Sequence, residues 1–174
     1  KARVAHIQLI LMSVGNMTLG WAGIERMLDE LIGWYQHSRT DLSEDHPLSL
    51  KRKLQYLRKM QSDPFFPEKT QEFLRQTRIE AKRLGNKRHE LIHGTLTLMN
   101  GRQGVWLTQR VIYQGPTARV FNRMHAAQEI INTTREISDF AGHLSPKVWV
   151  ISGNDRSKFP AGDIEKALSE LGLI

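Results

Sequence analysis

One stretch of ten residues, Gly85–Gly94, brings basic, acidic and imidazole groups into fewer than three helical turns. Histidine titrates near neutral pH and can transfer protons. Arginine binds phosphate at any pH, and histidines beside a glutamate can bind a metal ion and use it. Three kinds of chemistry fit this stretch, and each requires a different structural setting.

The first kind is zinc-dependent hydrolysis, because His89–His93 matches the pattern H-E-x-x-H. On a helix the two histidines lie one turn apart and can share one Zn²⁺, while Glu90 activates water. At the usual downstream spacing of the third zinc ligand the sequence has Leu96 and Met99, which do not provide it. Glu129 could be named as a substitute, but no motif indicates it. Two basic residues also precede the motif and repel a metal cation. We therefore expect no bound metal and interpret the match as a coincidence.

The second kind is a di-metal carboxylate bundle, because Glu90 and His93 have the E-x-x-H spacing found in such proteins. That fold requires a second E-x-x-H and two further glutamates that point inward. The sequence contains no second copy of the pattern, so this alternative is set aside.

The third kind is metal-free RNA cleavage by Arg88 and His93, which form an Arg-x-x-x-x-His motif. Such cleavage needs a base for the 2′-hydroxyl, an acid for the leaving oxygen and a cation at the phosphorus. Positions five apart lie about 140° apart around a helix, so we expect that a single pair does not converge easily. Two copies that face each other across a two-fold axis can complete the site, which predicts a homodimer.

Three segments of the sequence together resemble the HEPN superfamily over roughly residues 21–94. They are Trp21-x-x-Ile24-Glu25, Pro47-Leu48-Ser49-Leu50-x-x-Lys53-Leu54 and Arg88-His89-x-x-x-His93-Gly94. The resemblance implies a small helical bundle. Many HEPN domains are metal-independent endoribonucleases, often toxins or defence proteins that work as dimers, whereas others are inactive scaffolds or nucleotide binders. His89 is an allowed but less typical residue after the family arginine.

With this resemblance, candidate roles can be assigned to eight residues. They are catalytic roles for Arg88, His93 and His89, supporting roles for Glu25 and Glu90, and RNA binding for Lys82, Arg83 and Lys87. We expect a contact between Arg88 and Glu25, because Arg88 continues the inner stripe of its helix and Glu25 borders the stripe that faces it. The expected partners are RNA or a nucleotide, a second copy of the chain, and an antitoxin or larger assembly. No cofactor is expected.

The leading hypothesis is therefore RNA cleavage of the toxin or defence type, or RNA or nucleotide binding, at Arg88 and His93. The alternative is a non-catalytic interaction or scaffold domain. In that alternative Arg88 is bonded to Glu25 inside the bundle, and His93 is bonded to a carbonyl at the helix end. A zinc-dependent hydrolase that uses His89, Glu90 and His93 ranks third.

The composition agrees with a polyanionic partner. The net charge is +7, from 25 Lys+Arg and 18 Asp+Glu, which favours nucleic acid. There are no cysteines, so disulfides, thiolate metal sites and a cysteine nucleophile are excluded.

Residues 4–24 carry no Asp, Glu, Lys or Arg, but their apolar stripe continues into charged sequence. That pattern is typical of a core helix in a soluble bundle, so we expect a cytoplasmic protein and no membrane segment.

The elements that must position the motif are long helices. Apolar spacing of three and four predicts a helix over residues 4–37, a second from Leu50 to Gln61, and a third from Pro67. The third helix either runs through Gly85 or breaks there and restarts with Asn86 as its N-cap, and Gly94 ends it. Residues 95–99 and 105–113 are rich in β-branched and aromatic side chains, which predicts a hairpin.

Beyond a turn at residues 114–116, Asn122 is expected to cap a further bundle helix that stops at Ser145-Pro146. Lys147–Ile151 is expected to form a short strand, and Asp163 to cap a last helix that ends near Leu171. The predicted fold is thus a mostly α, HEPN-like bundle in a single domain, residues 1–174. Its parts are a core with the motif (4–94), a hairpin insertion (95–120), another bundle helix (122–145) and a small strand and helix extension (146–174).

Overall fold

In the computed structural model, four helices and a small three-stranded antiparallel sheet form most of the chain that the structure describes. The structure describes residues 2–39, 45–93, 95–99, 104–114, 117–153, 166 and 169–173. The elements in chain order are α1 (Ala2–Ser38), α2 (Leu50–Gln61), α3 (Glu68–Ile92), β1 (Thr95–Leu98), β2 (Val105–Gln114), β3 (Thr117–Ala126) and α4 (Ala127–Ser152). The prediction of a mostly helical protein is confirmed.

Helix α1 buries the apolar stripe that its sequence predicts. The buried members of that stripe are Ile10, Met17, Trp21, Ile24, Leu28, Leu31 and Tyr35. Another part of the chain approaches α1 closely at Gly20, where an added Cβ would lie 3.1 Å from Ile137 Cγ2. By length and composition alone, Val4–Ser38 is also apolar enough to cross a membrane, with a mean hydropathy of 1.3 in its most apolar window. Only 28% of that window is buried, and Leu11, Met12 and Leu19 of α1 are exposed.

Helices α2 and α3 begin at capping residues that the sequence supplies. The Ser49 hydroxyl accepts a hydrogen bond from the Arg52 backbone N–H at 3.4 Å, and the Pro67 carbonyl accepts one from the Gln71 N–H at 2.9 Å. Helix α3 then runs through Gly85 without a break. Burial of Leu84 and Leu91 on either side outweighs the cost of about 1 kcal/mol for a glycine inside a helix.

The predicted hairpin is confirmed, and a third strand extends it. The strand order is β1-β2-β3, with Leu98 opposite Trp106 in the first pair and Gln114 opposite Thr117 in the second. Gly104 precedes β2 with φ 76°, a left-handed conformation that favours glycine. Residues 100–103 and 115–116, which connect the strands, lie outside the described residues.

Three predictions for the C-terminal part of the chain are wrong. Asn122 lies in β3 opposite Gln109 and does not cap a helix, because β3 pairs with the whole length of β2. Helix α4 continues through Pro146, since Leu144, Val148 and Ile151 are buried around it and offset the hydrogen bond that proline cannot make. Residues 147–151 are therefore helical rather than a strand. Asp163 lies outside the described residues, and the turn at residues 171–172 agrees with a helix end near Leu171.

The chain divides into two compact units, and α1, α3 and α4 each contribute to both. The first, called the motif unit, consists of Lys1–Trp21 and Arg83–Asp139, and includes the sheet. Its buried residues include Ile10, Leu91, Trp106, Ile130 and Ile137. The second, called the α2 unit, consists of Ala22–Lys82 and Phe140–Ile174. Its buried residues include Leu28, Leu57, Leu74, Leu144 and Val148.

Candidate functional site

The last turn of α3 presents the motif side chains at the surface of the motif unit. Leu84 and Leu91 anchor this part of the helix in the core, and Arg88, between them along the helix, is half-buried. His89 and His93 are exposed. His93 directly follows the last helical residue, and its backbone N–H still donates to the His89 carbonyl at 3.2 Å. The end of the helix thus holds both imidazoles on a fixed backbone.

Arg88 and His93 lie together within one chain. Arg88 Nη1 is 3.4 Å from His93 Nε2, so the expectation that the two side chains do not easily converge is wrong. The arginine side chain is long, and His93 lies past the last helical residue, so their angular offset around α3 is bridged.

The two imidazoles lie side by side. The ring centroids of His89 and His93 are 4.6 Å apart, with 48° between the ring planes. Partial desolvation lowers the pKa of His89, and the nearby charges of His93, Arg110 and Arg88 lower it further. A lowered pKa keeps the His89 ring neutral at pH 7, so it is able to accept a proton.

The glutamate of the motif faces the sheet. Glu90 forms an ion pair with Arg123 of β3, and Arg123 Nη2 also lies 3.2 Å from Glu129 Oε1. Glu129 Oε2 is in turn 3.2 Å from Nδ1 of the buried His125, whose Nε2 is 2.9 Å from the Thr108 hydroxyl. Glu90 is therefore held by an arginine, which ties α3 to β3.

These contacts do not favour the zinc hypothesis. Glu90 would have to activate water, but it forms an ion pair with Arg123. Glu129, the substitute third ligand, also contacts Arg123. Within the described ranges, no three His, Asp or Glu side chains are grouped so that they could hold a metal ion.

The three cations assigned to RNA binding have different surroundings. Lys87 Nζ is 2.9 Å and Arg83 Nη1 is 2.6 Å from Glu136 Oε2. Hydrogen bonds from Lys87, which has the largest effect, and from Arg83 lower the pKa of Glu136. The Glu136 carboxylate therefore partly neutralises the charges of both residues. Lys82 is exposed and belongs to the α2 unit.

The supporting residue Glu25 lies in the α2 unit, whereas Arg88 lies in the motif unit. The contact expected between Arg88 and Glu25 stays a prediction. Arg88 Nε is buried, and no described residue is its hydrogen-bond partner. This donor therefore differs from Arg88 Nη1, which contacts His93.

Sequence reasoning missed the arginines that the sheet adds to this surface. Arg110 on β2 is close enough to influence the pKa of His89, and Arg123 on β3 holds Glu90. A signal was present, because Arg119, Phe121 and Arg123 alternate with a period of two, as residues on one face of a strand do. The helix predicted from Asn122 interrupts this alternation, and for that reason no strand is predicted here from the sequence.

The assembled site consists of two imidazoles, one of them with a lowered pKa, beside the guanidinium of Arg88 and the positive charge of Arg110. Such a group can bind an anion and transfer protons next to it. No protein-family model, no curated protein and no solved structure matches this chain.

Proposed function

We propose that this protein is a HEPN-like, metal-independent endoribonuclease whose catalytic residues are Arg88, His89 and His93. The observation that carries the proposal is the contact of Arg88 Nη1 with His93 Nε2 at 3.4 Å, with the His89 ring 4.6 Å from that of His93. A phosphate binder and two proton carriers are the groups that metal-free RNA cleavage requires. The proposal includes a cytoplasmic location and a role in defence or as a toxin held by an antitoxin.

The proposed reaction is an attack of the 2′-hydroxyl on the adjacent phosphorus. Neutral His89 accepts the proton of the 2′-hydroxyl while the 2′-oxygen bonds to phosphorus. A protonated His93 gives its proton to the 5′-oxygen as the bond between phosphorus and that oxygen breaks. Arg88 binds the non-bridging oxygens, on which negative charge accumulates. The products are a 2′,3′-cyclic phosphate and a 5′-hydroxyl.

The spacing of the two rings favours a site that is built from two copies of the chain. The attacking and leaving oxygens lie roughly in line on opposite sides of the phosphorus. The rings of His89 and His93 lie side by side at the end of α3, with their centroids 4.6 Å apart. We therefore expect both rings of one copy to approach a bound phosphate from the same side. We propose that His89 of one protomer and His93 of its partner act on opposite sides of the same phosphate.

The decisive experiment is cleavage of a mixed pool of RNA in EDTA by the parent and by His93→Ala. We expect the variant to lose about 10²- to 10⁴-fold in rate, because one proton transfer is lost. His93 is exposed, so the free energy of unfolding should change by no more than about 1 kcal/mol, as for loss of one hydrogen bond.

The matched control is His143→Ala, which removes another exposed imidazole from a helix of the α2 unit. It should cleave at the parental rate. A parent that cleaves nothing, or a His93→Ala variant that cleaves as well as the parent, refutes the proposed role of His93.

The site proposed between two copies of the chain also predicts the oligomeric state. Light scattering at micromolar concentration should give the mass of two chains of 20.0 kDa, because only a pair of copies completes the site. A strict monomer that nonetheless cleaves RNA would contradict the two-copy arrangement and leave the assignment of the residues in place.

The interaction-domain alternative has one observation in its favour. One face of the sheet exposes apolar side chains, among them Val111, Tyr113, Val120 and Met124. Exposed apolar patches often mark protein interaction sites. This alternative takes the lead if the parent shows no ribonuclease activity.

A further inference from the structure

Strands β2 and β3 extend beyond the rest of the sheet as a two-stranded ribbon. Within the described residues, strand β1 is paired in register with residues 106–109 of β2. From there residues 110–114 and 117–121 continue to pair with each other, and we call these two segments the ribbon. The ion pair between Glu90 and Arg123, just before the ribbon, fixes this part of the sheet to the motif turn.

One face of the ribbon carries its arginines and an exposed aromatic ring. Directly opposite residues of antiparallel strands lie on the same face, with their Cβ atoms about 5 Å apart. Arg110 is opposite Phe121, and Ile112 is opposite Arg119. Phe121 is 51% exposed, and Arg119 is exposed. This face, which we call the arginine face, also includes Arg123 and leads to His89.

The opposite face of β2 and β3 has a different character. Its residues are Val105, Leu107, Gln109, Val111, Tyr113, Ala118, Val120, Asn122, Met124 and Ala126, and none of them is charged. Tyr113 on this face is 77% exposed. The ribbon therefore presents an aromatic ring on each face, but only Phe121 has arginines beside it.

From this arrangement we propose that the arginine face of the ribbon binds single-stranded RNA and guides it to the motif turn. The inference rests on the proposed ribonuclease function and deepens it by naming the class of substrate and the surface that holds it. Arg110 and Arg119 neutralise backbone phosphates, and an unstacked base lies on the Phe121 ring.

The exposed phenylalanine is the reason for choosing a single strand over a duplex. Bases in an A-form helix are stacked on one another, and proteins recognise that helix by its shape and backbone. A flat ring next to cations instead suits bases that are free to stack on it. Two of the three cations predicted to bind RNA, Arg83 and Lys87, are less suitable, because Glu136 binds both.

The test compares the two aromatic residues of the ribbon. The ligand is a 2′-O-methylated single strand of about 12 nucleotides, a length within the range that such surfaces cover, and it lacks the hydroxyl that cleavage requires. Phe121→Ala should weaken its binding roughly 5- to 150-fold, the equivalent of losing one base stack of about 1–3 kcal/mol. Tyr113→Ala, on the opposite face, should bind like the parent, and so should Phe121→Tyr, which keeps the ring.

The contribution of the arginines is tested by the salt dependence of RNA binding. Arg119→Ala should reduce the slope of log affinity against log salt by about 0.7, the value for one phosphate contact with a single strand. Arg135→Ala removes another exposed arginine, from a helix of the same unit, and should leave the slope unchanged. A duplex of the same sequence should be bound more weakly than the single strand, and less affected by Phe121→Ala.

Each result supports or overturns the inference. Equal losses in Phe121→Ala and Tyr113→Ala, no loss in either, or no binding of the strand by the parent at about 50 mM salt would each overturn it. RNA cleavage that depends on His93 can persist in all three cases, so the proposed function would survive. Conversely, a parent that binds the strand through Phe121 but cleaves no RNA refutes the ribonuclease and supports the ribbon.

Discussion

Two clusters of charged and polar side chains, one in each unit, differ in how many of their hydrogen-bonding groups have a partner within the cluster. In the α2 unit, Asp63 accepts hydrogen bonds from the Tyr35 hydroxyl, from Arg39 and, at 2.9 Å, from the Phe65 backbone N–H. Its side chain is only 13% exposed. The carboxylate thus has a donor on each side, and together they tie the end of α1 to the loop after α2.

The cluster at the motif turn has the opposite balance. Arg88, His89 and Arg110 supply guanidinium and imidazole groups, while the nearest carboxylate of the motif, Glu90, is bound by Arg123. A buried donor of Arg88 has no hydrogen-bond partner among the residues described. A cluster whose donors and acceptors are bonded to one another, as around Asp63, stabilises a fold. A group of cations without such partners, as at the motif turn, is suited to binding an anion from outside.

The largest effect on stability should therefore come from Asp63. We expect Asp63→Ala to lower the free energy of unfolding by about 3 kcal/mol, because the Tyr35 hydroxyl is buried and loses its acceptor. Arg88→Ala should lower it by no more than about 1 kcal/mol, since its contact with His93 is long and exposed. Urea denaturation of both variants measures the two values.

Equal losses in the two variants would remove the distinction between the clusters. In that case Arg88 would be a structural ion-pair residue, as its predicted contact with Glu25 requires, because breaking a buried pair costs about 3–5 kcal/mol. Arg39→Ala serves as a further control in the α2 unit. It removes one donor but leaves Tyr35 bonded to Asp63, so its cost should lie between the other two.

The helices were predictable because burial follows their period. The apolar stripe of α1, the serine cap of α2 and the proline before α3 are local signals, and each element lies where its signal places it. Pro146 is also a local signal, but it gave the wrong end for α4. Its effect is opposed by Leu144 and Val148, which are fully buried, and the pattern of Ser145-Pro146 alone does not show that burial.

The site was predictable only in the part that lies on α3. Arg88, His89, Glu90 and His93 follow one another in sequence, so their proximity was evident. The arginines that complete the surface come from strands, and Arg110 and Arg123 reach the motif only because of the register that pairs β2 with β3. Once β3 was overlooked, no spacing along the sequence could bring those residues to the motif.

The smallest predicted effect is on the pH dependence of stability. The two clusters change the free energy of unfolding in separate pH ranges. Hydrogen bonds from Tyr35 and from the Phe65 N–H lower the pKa of Asp63 below its usual 3.8. The unfolded chain then binds more protons than the folded one between the two values, so this stabilisation is present above pH 3.8 and is lost as the pH falls through the folded pKa.

The pKa of His89 is likewise lowered, from 6.5, by desolvation and then by its cationic neighbours. The folded state resists protonation of this ring, so stability should decrease as the pH falls from above 6.5 through the folded pKa, and the full penalty remains at lower pH. His89→Gln should flatten the profile only in this upper window, and Asp63→Asn only below about pH 4. Urea midpoints measured at closely spaced pH values test both. If His89→Gln leaves the slope between pH 5 and 7 unchanged, the cationic surroundings that distinguish the motif turn from the Asp63 cluster do not act on His89 as inferred.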